Sequence, residues 1–143
     1  MSPLRQATLK VRCVARYKCG LYASAGYLKE RGLPRSLEGV AGHDVVLPAG
    51  ELSAMPEAKW LAGRPRVRVT FRSSSMPTLV AAAAQGRGLV AISVRWGDAE
   101  DQLQRVLVLE HLPARPIWLV TAADPRPAVR AVADRIAQLF AQV

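Results

Sequence analysis

The sequence predicts an α/β domain built on a mixed, mainly parallel sheet of about five strands. Three observations carry that prediction. Short β-rich runs such as VRVTFR (Val67–Arg72) and LVAISV (Leu89–Val94) alternate with helix formers such as MPTLVAAAAQ (Met76–Gln85). Serines stand where strands give way to helices, at Ser24 and Ser73–Ser75. Half of the 143 residues are apolar, enough to bury a core, and neither Gly nor Pro is in the excess that marks disorder.

Taken in order, Thr8–Tyr22 reads as extended, with Leu9, Val11 and Cys13 alternating with Lys10 and Arg12. Ser24 is placed to cap a short helix through Tyr27, Leu28 and Lys29, and Gly32 to stop it. Ser36–Glu38 starts a helical turn that ends near Gly42, and His43–Leu47 is the next strand. Pro48–Pro65, with Trp60, reads as an irregular insertion. Val67, Val69 and Phe71 alternate with Arg68, Thr70 and Arg72, predicting a strand with one buried face. The serine triplet then caps a helix over Met76–Gln85, where Pro77 fits because the first turn needs no N–H from it. Gly86 ends that helix, and Leu89–Val94 is apolar enough to be a strand buried on both faces. Asp98–Leu103 is a short helix, Val106–Glu110 and Ile117–Thr121 are strands, and Trp118 is placed in the core. The last helix gathers Val129, Val132, Ala133, Ile136, Phe140 and Val143 on one stripe.

The formal charge is +9, from sixteen arginines and four lysines against eleven acidic residues. Only RPRVR (Arg64–Arg68) is a local cluster, and strand spacing would set its three arginines on one solvated face without aromatic platforms. As one strand, Cys13 and Cys19 would lie about 20 Å apart, beyond disulfide reach, so two reduced, buried or half-buried thiols are expected. No residues have metal-ligand spacing, and no cofactor motif occurs. No apolar run reaches the ~20 residues of a membrane span, and MSPLRQATLK lacks a secretory h-region, so a cytoplasmic location is expected.

LYASAGYL (Leu21–Leu28), GLPRSLEGVAGHDVVL (Gly32–Leu47), VRVTFRSSSMPTLVAAAAQGRGLVAISV (Val67–Val94) and the terminal strand and helix follow one another in a specific order. In that order and spacing the chain resembles the effector-binding region of a LysR-type transcriptional regulator. The winged helix-turn-helix and most of the first effector subdomain of such a regulator have no counterpart. Relatives usually carry proline after the serine at Ser24, where this chain has Ala25. The resemblance implies one lobe of a type 2 periplasmic-binding-protein-like fold. Residues 1–20 would be a remnant of the first subdomain, 21–116 the second, and 117–143 the crossover strand and helix returning to the first. It implies a hinge at Leu21, Tyr22, Ala23, Ser24 and Ile117, Trp118, Leu119. It implies a homodimer, and DNA contact only through the missing N-terminal domain.

Ligands of open α/β sheets collect beyond the C-terminal ends of strands, where helix N-termini present N–H groups. The turn Arg72-Ser73-Ser74-Ser75-Met76 is such a place, offering hydroxyls, backbone donors and a guanidinium to a carboxylate or similar small anion. Ser93 returns to the same edge, so the effector is expected at the inter-lobe cleft. A serine hydrolase using Ser74 or Ser75 with His43 or His111 is the enzymatic alternative, but the flanking glycines of a nucleophile elbow are absent, so no enzyme is expected. His43 reads as a satisfied cap and His111 as a turn residue. A solute-binding lobe of the periplasmic type and a basic nucleic-acid module are the remaining alternatives.

Overall fold

The computed structural model describes residues 8–141. Its elements are β1 (Leu9–Tyr17), β2 (Cys19–Ala23), α1 (Ala25–Arg31), β3 (Asp44–Pro48), α2 (Pro56–Ala62), β4 (Arg68–Ser73), α3 (Met76–Ala84), β5 (Val90–Ser93), α4 (Val94–Ala99), β6 (Gln104–Val108), β7 (Arg115–Ala122) and α5 (Pro127–Ala141). Single 3-10 segments occupy Glu38–Val40 and Gly50–Ala54. The chain divides into two compact units, Lys18–Pro113 and, among the described residues, 8–17 with 114–141. The change of unit thus falls at Tyr17/Lys18 and Pro113/Ala114, against 20/21 and 116/117 from sequence. The extended run is interrupted at Lys18, so β1 and β2 serve different units.

In the larger unit β2 lies between β5 and β6, antiparallel to both, while β3 pairs parallel with β4. The ladders join at a parallel bridge between Val45 and Leu89, where Leu89 N–H donates to Asp44 O and Val46 N–H to Leu89 O, each at 2.9 Å. The order is therefore β6-β2-β5-β3-β4, with four strands running one way and β2 reversed. Every residue of β2 and β3 is buried, as strands covered on both faces must be. Tyr22, Val46, Val90 and Ile92 pack against Leu79, Val80 and Ala83 of α3. The approach of β5 to β3 is set at Gly88, whose φ is 138° and whose absent Cβ would lie 2.4 Å from Asp44 O.

Several local expectations are corrected. Pro48–Pro65 is not irregular: Gly50–Ala54 winds as a 3-10 turn, and α2 follows with Pro56 in its first turn and Glu57, Ala58 and Leu61 buried. The helix near residue 100 begins earlier, at Val94, because the Ser93 side chain accepts from Trp96 N–H at 3.3 Å and closes the strand there. Val69 and Phe71 do not form a buried face; each is 37% exposed. They sit on an edge strand, and α3 turns Ala81 and Ala82 toward Phe71, too short to close the groove between them. The arginines of RPRVR share no stripe, because Arg66 takes a left-handed φ of 57° and β4 starts only at Arg68.

The smaller unit is an antiparallel β1–β7 ribbon with α5 against it; a bulge at Val14 shifts the register between Cys13 and Ala15. Lys10, Arg12, Leu119 and Thr121 face α5 beside Ala133 and Asp134. Trp118 is not core, being 55% exposed on the ribbon's other face. Cys13 shares that face and is exposed, contrary to expectation, whereas Cys19 is buried in β2; both are free thiols. On α5, Val129 and Val132 are exposed, Ile136 and Phe140 half-buried and Ala137 buried. Val143 lies outside the described residues.

Gly88→Ala is expected to lower the unfolding free energy by about 2–4 kcal/mol, since the strained φ and the clash with Asp44 act together. Urea denaturation followed by circular dichroism measures this. A loss below half a kcal/mol would mean that β5 and β3 can separate at little cost.

Candidate functional site

Strands β3, β4 and β5 run parallel and end at one edge of the larger unit's sheet, at Pro48, Ser73 and Ser93. There β4 turns into α3 through Ser73–Ser75, and β5 turns directly into α4. The loop after β3 belongs to the same edge, because Ala49 N–H donates to Ser73 O at 2.9 Å. Sequence reasoning missed this loop; its signal was the Pro48-Ala49-Gly50 break directly after a strand. Since β3 separates β4 from β5, the Ser73 and Ser93 ends stand about 10 Å apart.

The turn is built by its own serines. Ser73 Oγ accepts from Ser75 N–H at 3.1 Å, and Ser75 Oγ caps α3 by accepting from Thr78 N–H at 3.4 Å. Two of the three hydroxyls and two of the backbone donors are thus spent on the turn itself, and Pro77 has no N–H to give. Ser74, exposed, and the Met76 N–H are not spent in this way. Met76 places its side chain against the core cluster, and Arg72, the last residue but one of β4, is exposed to solvent. Ser93 is half-buried as the cap of α4. The structure therefore brings Arg72–Met76 into one turn and Ser93 to the same edge, but not into contact with it.

Of the expected hinge residues, Leu21, Tyr22 and Ala23 lie within β2 and are fully buried, and Ser24 caps α1 through Tyr27 N–H at 3.1 Å. The Tyr22 hydroxyl donates to Asp98 at 2.7 Å, and burial first, then that carboxylate, push its pKa up to about 12. Ile117, Trp118 and Leu119 lie within β7 of the smaller unit.

A second constellation occupies the opposite, N-terminal ends of β3 and β4. Asp44, buried, receives Arg68 Nε and a terminal nitrogen at 3.0 and 2.9 Å, and Arg31 at 3.0 Å. Burial pushes its carboxyl up, but the Arg68 hydrogen bonds and the Arg31 charge outweigh that and hold it below the ordinary 3.8. Asp44 N–H donates to the Tyr27 hydroxyl at 3.0 Å, and that hydroxyl shares a hydrogen bond with His43 Nδ1 at 2.8 Å. His43 is thus a buried, neutral partner of Tyr27; burial first, then Arg31, lower its pKa, against a smaller opposing pull from Asp44. His111 is exposed and packs on Trp60 at 5.3 Å between ring centroids, and Arg64 covers the same indole at 4.7 Å. Neither histidine is hydrogen-bonded to Ser74 or Ser75 among the described residues. No group of three or more His, Cys, Asp or Glu side chains suited to a metal ion, and no helix long and apolar enough to cross a membrane, occurs among them either.

Residues 1–141 match the family model described as the LysR substrate binding domain. The chain is similar to the regulatory domain of CrgA, a LysR-type transcriptional regulator from Neisseria meningitidis, with a TM-score of 0.71 and 24% identity over 97% of this chain and 72% of that one. It is similar to the CcmR regulatory domain from Synechocystis PCC6803, solved in complex with 2-PG, with a TM-score of 0.67 and 14% identity over 97% and 70%. Against another, longer CrgA structure the TM-score is 0.63 at 23% identity, and this chain spans 50% of that length. No curated protein matches significantly. At such identities the solved structures speak to fold.

The His43 environment has a consequence for pH. Its folded pKa lies below the unfolded 6.5, so the unfolded chain binds the proton first as pH falls. The stability due to neutral His43 is complete above pH 6.5 and is lost as pH drops from there through the folded pKa. Asp44 acts in a separate window, below 3.8, because its folded pKa is also depressed. The urea midpoint is expected to fall between pH 7 and about 5, and His43→Asn, which keeps an acceptor near the Nδ1 position, should flatten that slope. An unchanged slope in the variant would place the titration elsewhere.

Proposed function

The chain belongs to the LysR substrate-binding domain family, and we propose that it senses a small carboxylate or similar compact anion at the turn Arg72–Met76. It is the ligand-sensing part of a bacterial LysR-type regulator, and its chemistry is binding rather than catalysis. The observation that carries the choice of site is the turn from β4 into α3. It stands at the C-terminal edge of three parallel strands and presents the Ser74 hydroxyl, the Met76 N–H and the positive end of a nine-residue helix. Arg72 adds a cation at the end of β4, and Ser93 with the α4 N-terminus lines the same edge. CcmR supports the reading, since its regulatory domain was solved with the small ligand 2-PG.

The chain passes between its two units at Tyr17–Lys18 and Pro113–Ala114. The adjoining strands, with Leu21–Ser24 and Ile117–Leu119, would transmit an effector-dependent movement. The module acts in the cytoplasm and pairs with a second copy. It meets operator DNA only through a separate DNA-binding domain. The arginines favour this division of labour, because Arg31, Arg68 and Arg105 are paired with carboxylates and Arg64 covers Trp60.

Two or three hydrogen bonds to an exposed anion at a helix N-terminus are worth about 1–3 kcal/mol net, which reaches no better than roughly millimolar affinity. In a titration of the 15N-labelled chain with aromatic and aliphatic carboxylates, the amides of Ser74, Ser75 and Met76 should shift first. Ser74→Ala should weaken the binding about fivefold, the equivalent of one hydrogen bond. Shifts confined to Arg64–Arg68 would reduce the effect to nonspecific anion binding and remove the site. In gel-shift competition, retention on DNA should be independent of sequence and collapse between low and moderate salt. Sequence-selective, salt-resistant retention would assign DNA recognition to this chain itself.

A further inference from the structure

The smaller unit holds a cavity of its own between the β1–β7 ribbon and α5, about 120 Å³ in volume. Strand spacing brings Lys10 and Arg12 to one ribbon face, and the antiparallel register sets them opposite Thr121 and Leu119. Helix spacing brings Arg130 and Asp134, four residues apart, to the side of α5 that closes the cavity. Three cations and a half-buried hydroxyl thus line one small space against one carboxylate. The cations are loosely held. Lys10 has no hydrogen-bond or ion-pair partner among the described residues. Arg12 reaches Asp134 at 3.3 Å and Arg130 reaches Asp124 at 3.5 Å, and both pairs are solvent-exposed. Exposed pairs of this kind contribute little, so either guanidinium turns to a new acceptor at small cost.

We propose that this cavity is a second anion site, in a different unit from the turn Arg72–Met76, and that it takes inorganic phosphate. Charge selects an anion. Lys10, Arg12 and Arg130 stand against Asp134 and the neighbouring Asp124, which leaves one positive charge uncompensated. The net charge of +9 concentrates anions around the whole molecule and so supplies the site. Size selects a compact ligand. An apolar cavity of ~150 Å³ is what holds one benzene ring, so the smaller space here, lined partly by charged groups, admits a tetrahedral oxyanion and not an aromatic acid. Direction fits as well, because Lys10, Arg12 and Thr121 approach from the ribbon and Arg130 from the helix, offering charge-assisted donors on two sides. Asp134 selects among oxyanions. Phosphate keeps a proton at neutral pH and donates it to that carboxylate, with Arg12 bridging the two; sulfate has no proton to give and meets only repulsion there.

The test titrates the unmodified 15N-labelled chain with inorganic phosphate near neutral pH at constant ionic strength. The amides of Lys10, Arg12, Thr121 and Arg130 should shift together and saturate, with a dissociation constant of roughly 0.1–1 mM. Sulfate should bind about tenfold more weakly, the equivalent of one hydrogen bond to a charged group, and Asp134→Asn should remove that preference. Lys10→Gln should weaken phosphate binding about fivefold, while Arg72→Gln should leave it unchanged. Equal affinity for phosphate and sulfate in the unmodified chain would overturn the assignment to phosphate. Shifts that never saturate and spread over the arginines of both units would reduce the effect to charge screening and remove the site. Shifts confined to Ser74–Met76 would keep the effector turn and remove this second site. The titration itself needs no substitution, so it decides even where a variant fails to fold.

Discussion

The carboxylate of Asp44 is the constraint on which the larger unit depends. A buried anion is tolerated only when paired and hydrogen-bonded, and Asp44 meets that demand by recruiting Arg31 from α1 and Arg68 from β4. Its backbone is used as fully: N–H to Tyr27, carbonyl from Leu89. One residue therefore ties α1, β3, β4 and the start of β5 together. The Arg68 side chain is largely in water, so the pair adds little attraction of its own. Its value lies in compensating a charge that would otherwise be stranded.

That arrangement has a consequence at the far end of the same strands. Asp44 faces Arg68 in the parallel register, and the ladder then runs, with one irregularity, to Pro48 opposite Ser73. The register that pairs Asp44 with Arg68 at one end therefore also sets Ser73 opposite Pro48 at the other. The candidate binding turn thus lies four residues along β3 from the Asp44–Arg68 contact. Gly88 completes the frame, because only a residue without Cβ lets β5 come to the Asp44 carbonyl. The edge that would receive an anion thus rests on a buried strand and is exposed at its rim.

How much of this could be read from sequence depended on whether the signal was local. Ser24 and Gly32 bound α1, and Ser75 and Pro77 open α3, because capping is decided within four residues. The same logic at Ser93 was overlooked: an apolar valine followed it, and the run looked like continuous strand. Helix α2 carries its sign in Pro56-Glu57, but Gly50 and the prolines at 48 and 65 read as breaks on either side of it. Exposure was the least legible property. Alternation shows that Val69 and Phe71 share a face, yet only the sheet order reveals β4 as an edge strand beside an alanine-lined helix. At the site, three adjacent serines promised three ligand hydroxyls, and only coordinates show that two of them hold the turn.

The same distinction separates composition from function. A charge of +9 invites a nucleic-acid reading while the arginines are counted as free. In the fold their partners are spread over both units: Asp44, Asp98 and Trp60 in one, Asp134 and Tyr17 in the other. Dispersed in this way, cations raise the potential around the molecule and draw small anions toward it. What remains unbalanced is apolar. In the larger unit β2 and β3 are buried along their whole length, whereas on the ribbon Leu9, Val11, Trp118 and Val120 are each more than half exposed. Burial, unlike charge, has no long-range substitute: an uncovered Trp118 and its neighbours can be compensated only by direct contact.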